Sequence, residues 1–265
     1  MPNHSKEEKL KALGDLLDVI DTLRQKCPWD SVQTPESMRP NTIEEVMELS
    51  EAIVAGDDQN VRKELGDVLL HVLLLAKMGD EKGQYDIADV ADALRKKLIY
   101  RHPHIYGQAT ARNAQEVSDN WEVLKMKEKG GNKTVLGGVP RTLPSLIKAE
   151  RIQEKAAHVG FDWPDRAAVW DKVREEEREV EAEFKQGHEL NREKEFGDLL
   201  FAVVNAARLY GVRSDTALEK TNRKFIARFN YIEQQAGKRG MKVNEMTLDE
   251  MDALWNEAKK LHLGE

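Results

Sequence analysis

Apolar residues recur at helical spacing from the start of the chain. Leu10, Leu13, Leu16, Leu17, Ile20 and Leu23 share one face of a 3.6-residue period and predict a helix over about residues 5–26. Cys27-Pro28-Trp29-Asp30 ends it, and the Pro-, Ser- and Thr-rich segment that follows predicts a loop to about residue 39. A helix is expected from about Thr42 to Val54, with Asn41 or Thr42 as its N-cap, and Gly56-Asp57-Asp58 as the turn after it. Further periodic segments predict helices over about 60–82, 86–100 and 114–128. The second half repeats the order, with helices expected near 143–158, 166–186, 189–211, 214–237 and 248–262. Glycines concentrate between the halves, from Gly130-Gly131 to Gly137-Gly138, so residues 130–142 are the expected linker. The predicted fold is all-α: two tandem helical-bundle domains, 1–129 and 143–265.

Composition narrows the function classes. A net charge of −7 over 265 residues opposes a nucleic-acid groove, which needs a basic stripe. Cys27 is the lone cysteine, so no internal disulfide can form and a reducing compartment is expected. No apolar signal core and no run of about eighteen apolar residues is present, which leaves a soluble cytoplasmic protein without a membrane partner as the expectation.

The acidic residues carry the most information. Glu44, Glu45 and Glu48 precede Glu64, Gly66 and Asp67; adding 131 to each number gives Glu175, Glu176, Glu179, Glu195, Gly197 and Asp198. Acidic runs are most often solvated helix faces. Here, however, Glu45/Glu48 and Glu176/Glu179 are i,i+3 pairs, and Glu44/Glu48 and Glu175/Glu179 are i,i+4 pairs, so each set shares a helix face where like charges repel unless a cation offsets them. Glu64/Asp67 and Glu195/Asp198 open apolar runs, 68–76 and 199–207, that hold no formal charge. A carboxylate in such a helix is expected to be metal-bound or paired. Gly66 and Gly197 suggest close approach of another helix. All-oxygen sites suit Mg²⁺ or Mn²⁺. A di-iron site, which needs Glu-x-x-His, is opposed because no Glu stands three residues before any histidine. His71 reads as a hydrogen-bonded core histidine.

The pattern EExxE, fifteen residues, then ExxD, with Cys27-Pro28-Trp29-Asp30, Arg101-His102-Pro103-His104 and Gly160-Phe161-Asp162-Trp163, resembles the MazG family of nucleoside triphosphate pyrophosphohydrolases over nearly the whole chain. The resemblance implies Mg²⁺-dependent hydrolysis of NTPs and dNTPs between the α and β phosphates, a homodimer, and a GTPase or toxin–antitoxin system as a regulatory partner. It implies Glu176, Glu179, Glu195 and Asp198 as metal ligands, Glu175 as an outer acid or general base, and a weaker site at Glu45, Glu48, Glu64 and Asp67. Lys172, Lys194, Asn222, Lys224 and Arg228 would hold phosphate and Trp255 the base. Lys97, Arg101 and Trp121 repeat the last set in the first half, but Arg95 stands where the second half has Asn222. The second half is therefore the expected catalyst. The alternatives are a nucleotide- or metal-binding regulatory module and a narrower dUTP or dCTP pyrophosphatase.

Overall fold

The computed structural model describes residues 4–128, 134–186 and 189–264. They form helices α1 (Lys6–Lys26), α2 (Pro35–Ala55), α3 (Asp58–Glu81), α4 (Ile87–Arg101), α5 (Pro103–Tyr106), α6 (Ala114–Lys127), α7 (Ser145–Ala157), α8 (Ala168–Gln186), α9 (Glu189–Leu209), α10 (Ser214–Lys238) and α11 (Leu248–Lys260). No strand occurs among the described residues, and no described helix is long and apolar enough to cross a membrane. Contacts divide the chain into Met1–Val117 and Ser118–Glu265. The division falls inside α6, earlier than the glycine-rich segment expected as linker, of which residues 129–133 lie outside the described residues.

Local chemistry sets most helix starts. Ser5 with Glu8, Asp86 with Asp89, and Thr247 with Glu250 form reciprocal capping boxes at α1, α4 and α11. The expectation for the second helix is corrected: α2 begins at Pro35, not near Thr42. Thr34 is the N-cap, boxed with Ser37, and Pro35 occupies the first turn, where its missing N–H costs nothing. Pro40 then lies inside the helix on its exposed side, so the Glu36 carbonyl it cannot bond faces water. Met38, 3% exposed, holds this early turn onto the core.

In the first unit, α1, α2 and α3 enclose Ile20, Met38, Leu73, Leu74 and Met78, with Leu16, Leu17, Leu69 and Leu70 packed around them. Arg24 ties this core to the loop between α1 and α2. Its side chain, 8% exposed, donates to both Glu81 oxygens at 2.9 and 2.6 Å, to the Gln33 carbonyl at 3.2 Å and to the Asp30 carbonyl. In the second unit α8 packs along α9, and α10 with α11 encloses Ile232, Ala236, Met246 and Leu254. The 131-residue offset holds at the backbone level: Ala55, the last residue of α2, maps onto Gln186, the last of α8, and Asp58, the first of α3, onto Glu189, the first of α9.

The expected role of the two motif glycines is corrected. A Cβ built at Gly66 or at Gly197 meets nothing within 4 Å, so no helix of its own unit approaches there. Around Gly197, α9 instead exposes Phe196, Leu200 and Val203.

Arg24→Ala is expected to destabilise the first unit by about 2 kcal/mol, since it strips partners from a buried charged hydrogen-bond set. The Arg24 guanidinium holds the Glu81 carboxyl below its usual range. That contribution is therefore present above the ordinary glutamate pKa and lost as pH falls through the lowered one. Denaturant titrations from neutral to acid pH check both points: Glu81→Gln should flatten the acid loss, and an unchanged midpoint for Arg24→Ala would remove Arg24 from this role.

Candidate metal centre and nucleotide site

Helices α8 and α9 bring the second acidic set together. One carboxylate oxygen from each of Glu176, Glu179 and Glu195 lies within 4.8 Å of the other two. Glu176 and Glu195 are buried at 6% and 8% exposure, and Glu195 Oε2 has no hydrogen-bond partner. A buried, unsatisfied carboxylate oxygen costs free energy unless a cation or donor completes it. Burial, with the charges of Glu176 and Glu195, holds the Glu179 carboxyl above its usual range. Crowded, partly buried carboxylates of this kind are the environment a divalent cation would stabilise.

Two lysines offset part of the charge. Lys172 Nζ lies 2.8 Å from Glu175 Oε1 and 2.6 Å from Glu176 Oε1, and both hydrogen bonds raise its pKa. The same bond keeps Glu175 more acidic than an ordinary glutamate, so this residue is a poor general base as it stands. Lys194 Nζ sits 2.8 Å from Glu195 and 3.6 Å from Asp198. Asp198 lies outside the group of three convergent oxygens, one helix turn along α9.

The first copy repeats the geometry. Glu45, Glu48 and Glu64 also bring one oxygen each within 4.8 Å, Glu64 is 4% exposed, and its Oε2 is likewise without a partner. The charge of Glu64 pushes the Glu48 carboxyl up. Lys63, which the sequence reading passed over, stands 2.8 Å from Glu64 and 3.8 Å from Asp67, as Lys194 does in the second copy. The counterpart of Lys172 is Asn41. His71 is a core residue as expected: it is 4% exposed, and its Nδ1 lies 2.8 Å from Thr42 Oγ1. The Thr42 hydroxyl also donates to the Met38 carbonyl at 2.9 Å, so Thr42 serves the helix interior and not its N-cap.

A cavity of about 640 Å³ adjoins the second acidic cluster. Lys172, Glu176 and Asp198 line one part of it, and Phe161, Ala202, Asn205 and Arg208 line others. Asn222, Lys224, Arg228 and Trp255 are not among its lining residues. Arg228 is buried with its guanidinium 5.7 Å from the Trp255 ring centroid, and Phe225 packs on Trp255 at 5.0 Å, so this group joins α10 to α11. Asn205 and Arg208 were missed in the sequence; the signal was a single Asn in an otherwise apolar helical run.

Residues 33–106 and, again, residues 167–232 match the MazG nucleotide pyrophosphohydrolase domain. A nucleoside triphosphate pyrophosphohydrolase of Escherichia coli (strain K12) is 39% identical over 258 residues, covering 95% of this chain and 98% of its own. This chain belongs to the MazG family. Another member, the nucleoside triphosphate pyrophosphohydrolase/pyrophosphatase MazG of Thermotoga maritima, is 41% identical over 92% of this chain and 94% of its own. The uncharacterized protein YabN of Bacillus subtilis (strain 168) is 44% identical over 96% of this chain and 53% of its own. Membership makes the chain an enzyme, a hydrolase of acid anhydrides.

The raised Glu179 carboxyl gives a signed prediction. Its ionised form costs stability at neutral pH, so Glu179→Gln should raise the melting temperature of the metal-free protein. Protonation of Glu179 competes with a cation, so Mn²⁺ affinity should fall as pH is lowered through its raised pKa. Calorimetry in two buffers of different ionisation enthalpy would detect the released proton; affinity independent of pH would exclude Glu179 as a ligand.

Proposed function

We propose that the second unit hydrolyses ribo- and deoxyribonucleoside triphosphates between the α and β phosphates, giving a nucleoside monophosphate and pyrophosphate, in the control of cytoplasmic nucleotide pools. The observation that carries the reading is the convergence of Glu176, Glu179 and Glu195 on one point, with a buried Glu195 oxygen left unsatisfied. The donor set is all oxygen and fits Mg²⁺, with Mn²⁺ as substitute; Asp198, one turn along α9, would complete it. When bound, the metal polarises phosphate oxygens and lowers the pKa of a bound water.

The chain's own residues do the rest. Glu176 and Glu195, fixed in the seam between α8 and α9, set the position of the phosphates against the helix pair. Lys172 and Lys194 stay protonated because their carboxylate partners raise their pKa values. Lying beside Glu176 and Glu195, both ammonium groups would be available to phosphate oxygens when a cation is held there. Glu175 keeps Lys172 aimed at the cluster. In the first unit, Glu45, Glu48, Glu64 and Asp67 hold a cation but lack the lysine that Asn41 replaces, and turnover there is weak.

Product analysis with each NTP and dNTP checks this. Glu179→Gln should lower kcat by at least about 100-fold, while Glu48→Gln leaves most activity in place. Release of orthophosphate and a diphosphate would refute the bond assignment, and the reverse ranking of the two variants would refute the choice of unit.

The exposed apolar stripe of Phe196, Leu200 and Val203 beside the uncrowded Gly197 supports a homodimer that covers this face. Leu200→Lys alters a residue already 58% exposed, so the fold should persist while sedimentation shows a shift to monomer.

A further inference from the structure

Two positions that line the cavity beside the second acidic cluster carry larger, buried side chains in the first copy. Ala202 and Asn205 line it. Their counterparts at the 131 offset are His71 and Leu74, 4% and 2% exposed, one bonded to Thr42 and the other packed among Ile20, Met38 and Met78. The same helix, in the same register, therefore carries bulky packed side chains at these two positions in one copy and smaller, cavity-lining ones in the other. Filling this space would improve packing, yet it is left open against the charged cluster.

The polar group in this space is held in one orientation. Arg208, 14% exposed, grips Asp162 through both terminal nitrogens, at 3.1 and 2.5 Å. It also donates to Asn205 Oδ1 from Nε at 3.0 Å and from Nη2 at 2.8 Å. Arginine offers only donors, so the amide oxygen must face it and the Asn205 NH₂ is left for the cavity. The walls around it are apolar and aromatic, including Ile152, Ala156, Phe161 and Phe201. An apolar slot of this size with one fixed donor and a phosphate-binding edge has the form of a small-ligand site.

We propose that this cavity takes the heterocyclic base of the nucleotide and that Asn205 is a specificity-determining residue, its Nδ2 donating to an acceptor on the base edge, a carbonyl oxygen or a ring nitrogen. The assignment deepens the triphosphate reading above and rests on it for the placement of the phosphates at Lys172 and Asp198. Arg208 and Asp162 are positioning residues that fix which face of the amide the base meets. The first unit, closed by His71 and Leu74, takes cations and phosphate but no base.

The test transplants the first copy's side chains into the second, in the full chain, as Ala202→His and Asn205→Leu. Affinity for AMP, GMP, CMP and UMP with Mg²⁺ present is measured by calorimetry, KM and kcat for the four triphosphates by product analysis, and inhibition by inorganic pyrophosphate as a base-free probe. Both variants should weaken monophosphate binding and raise KM at least tenfold, with a smaller change in kcat, unequal losses across the four bases, and unchanged inhibition by pyrophosphate. Wild-type KM and monophosphate affinity in variants that fold would overturn the assignment while leaving the activity intact. A wild type that hydrolyses no triphosphate, yet binds monophosphates in an Asn205-dependent way, would overturn the activity and leave the base site standing. Should either variant fail to fold, Asn205→Ala, which only shortens a cavity-lining side chain, carries the same comparison.

Discussion

Everything at this site depends on keeping carboxylates in a seam where they repel one another. Glu176 and Glu195 are buried between two packed helices, Glu179 is close to both, and one Glu195 oxygen is unsatisfied. Such an arrangement persists only when the surrounding packing is strong enough to impose it. The apolar runs of α9 and α3 supply that packing, with Val204 and Ala206 in one copy and Leu73 and Leu74 in the other. Neighbouring lysines lower the repulsion without occupying the centre. The repulsion kept in this seam is what a divalent cation would relieve under the function proposed above, leaving binding energy to position phosphate.

Repetition shows which parts of the design are geometric and which are chemical. The two copies share helix register, the convergent acids and a lysine before the buried glutamate. They differ at Asn41 against Lys172, His71 against Ala202, and Leu74 against Asn205. Each difference lies beside the acids and not among them. The convergent acids are therefore the invariant of the two copies, and the residues around them differ.

Much of this was legible beforehand because helices translate spacing into proximity. The i,i+3 acids Glu45/Glu48 and Glu176/Glu179 converge as their spacing predicted, and the core role of His71 followed from its apolar neighbours. Two readings failed for physical reasons. Proline-rich composition suggested a loop before residue 40, but a capping box and a proline in the first turn make the same residues a good helix start. Glycine in a helix suggested a close neighbour, yet Gly66 and Gly197 face open space in their own unit. The cavity was not readable at all: it is a missing volume, created by α7, α8, α9 and their loops, which no local window contains.

Leu74 carries a consequence for how such a duplicated protein can change over time. Replacing a polar cavity residue with leucine at this position adds buried apolar contact and removes a void, so the step gains stability while it loses a binding surface. The reverse step must reopen a hole in a packed core, and truncating a buried leucine costs about 2–5 kcal/mol before any ligand is gained. Passage between an open and a closed interior is therefore a ratchet. A copy released from selection drifts shut with ease and seldom reopens, so one filled unit beside one hollow unit is the arrangement that duplication followed by relaxed constraint will tend to leave behind.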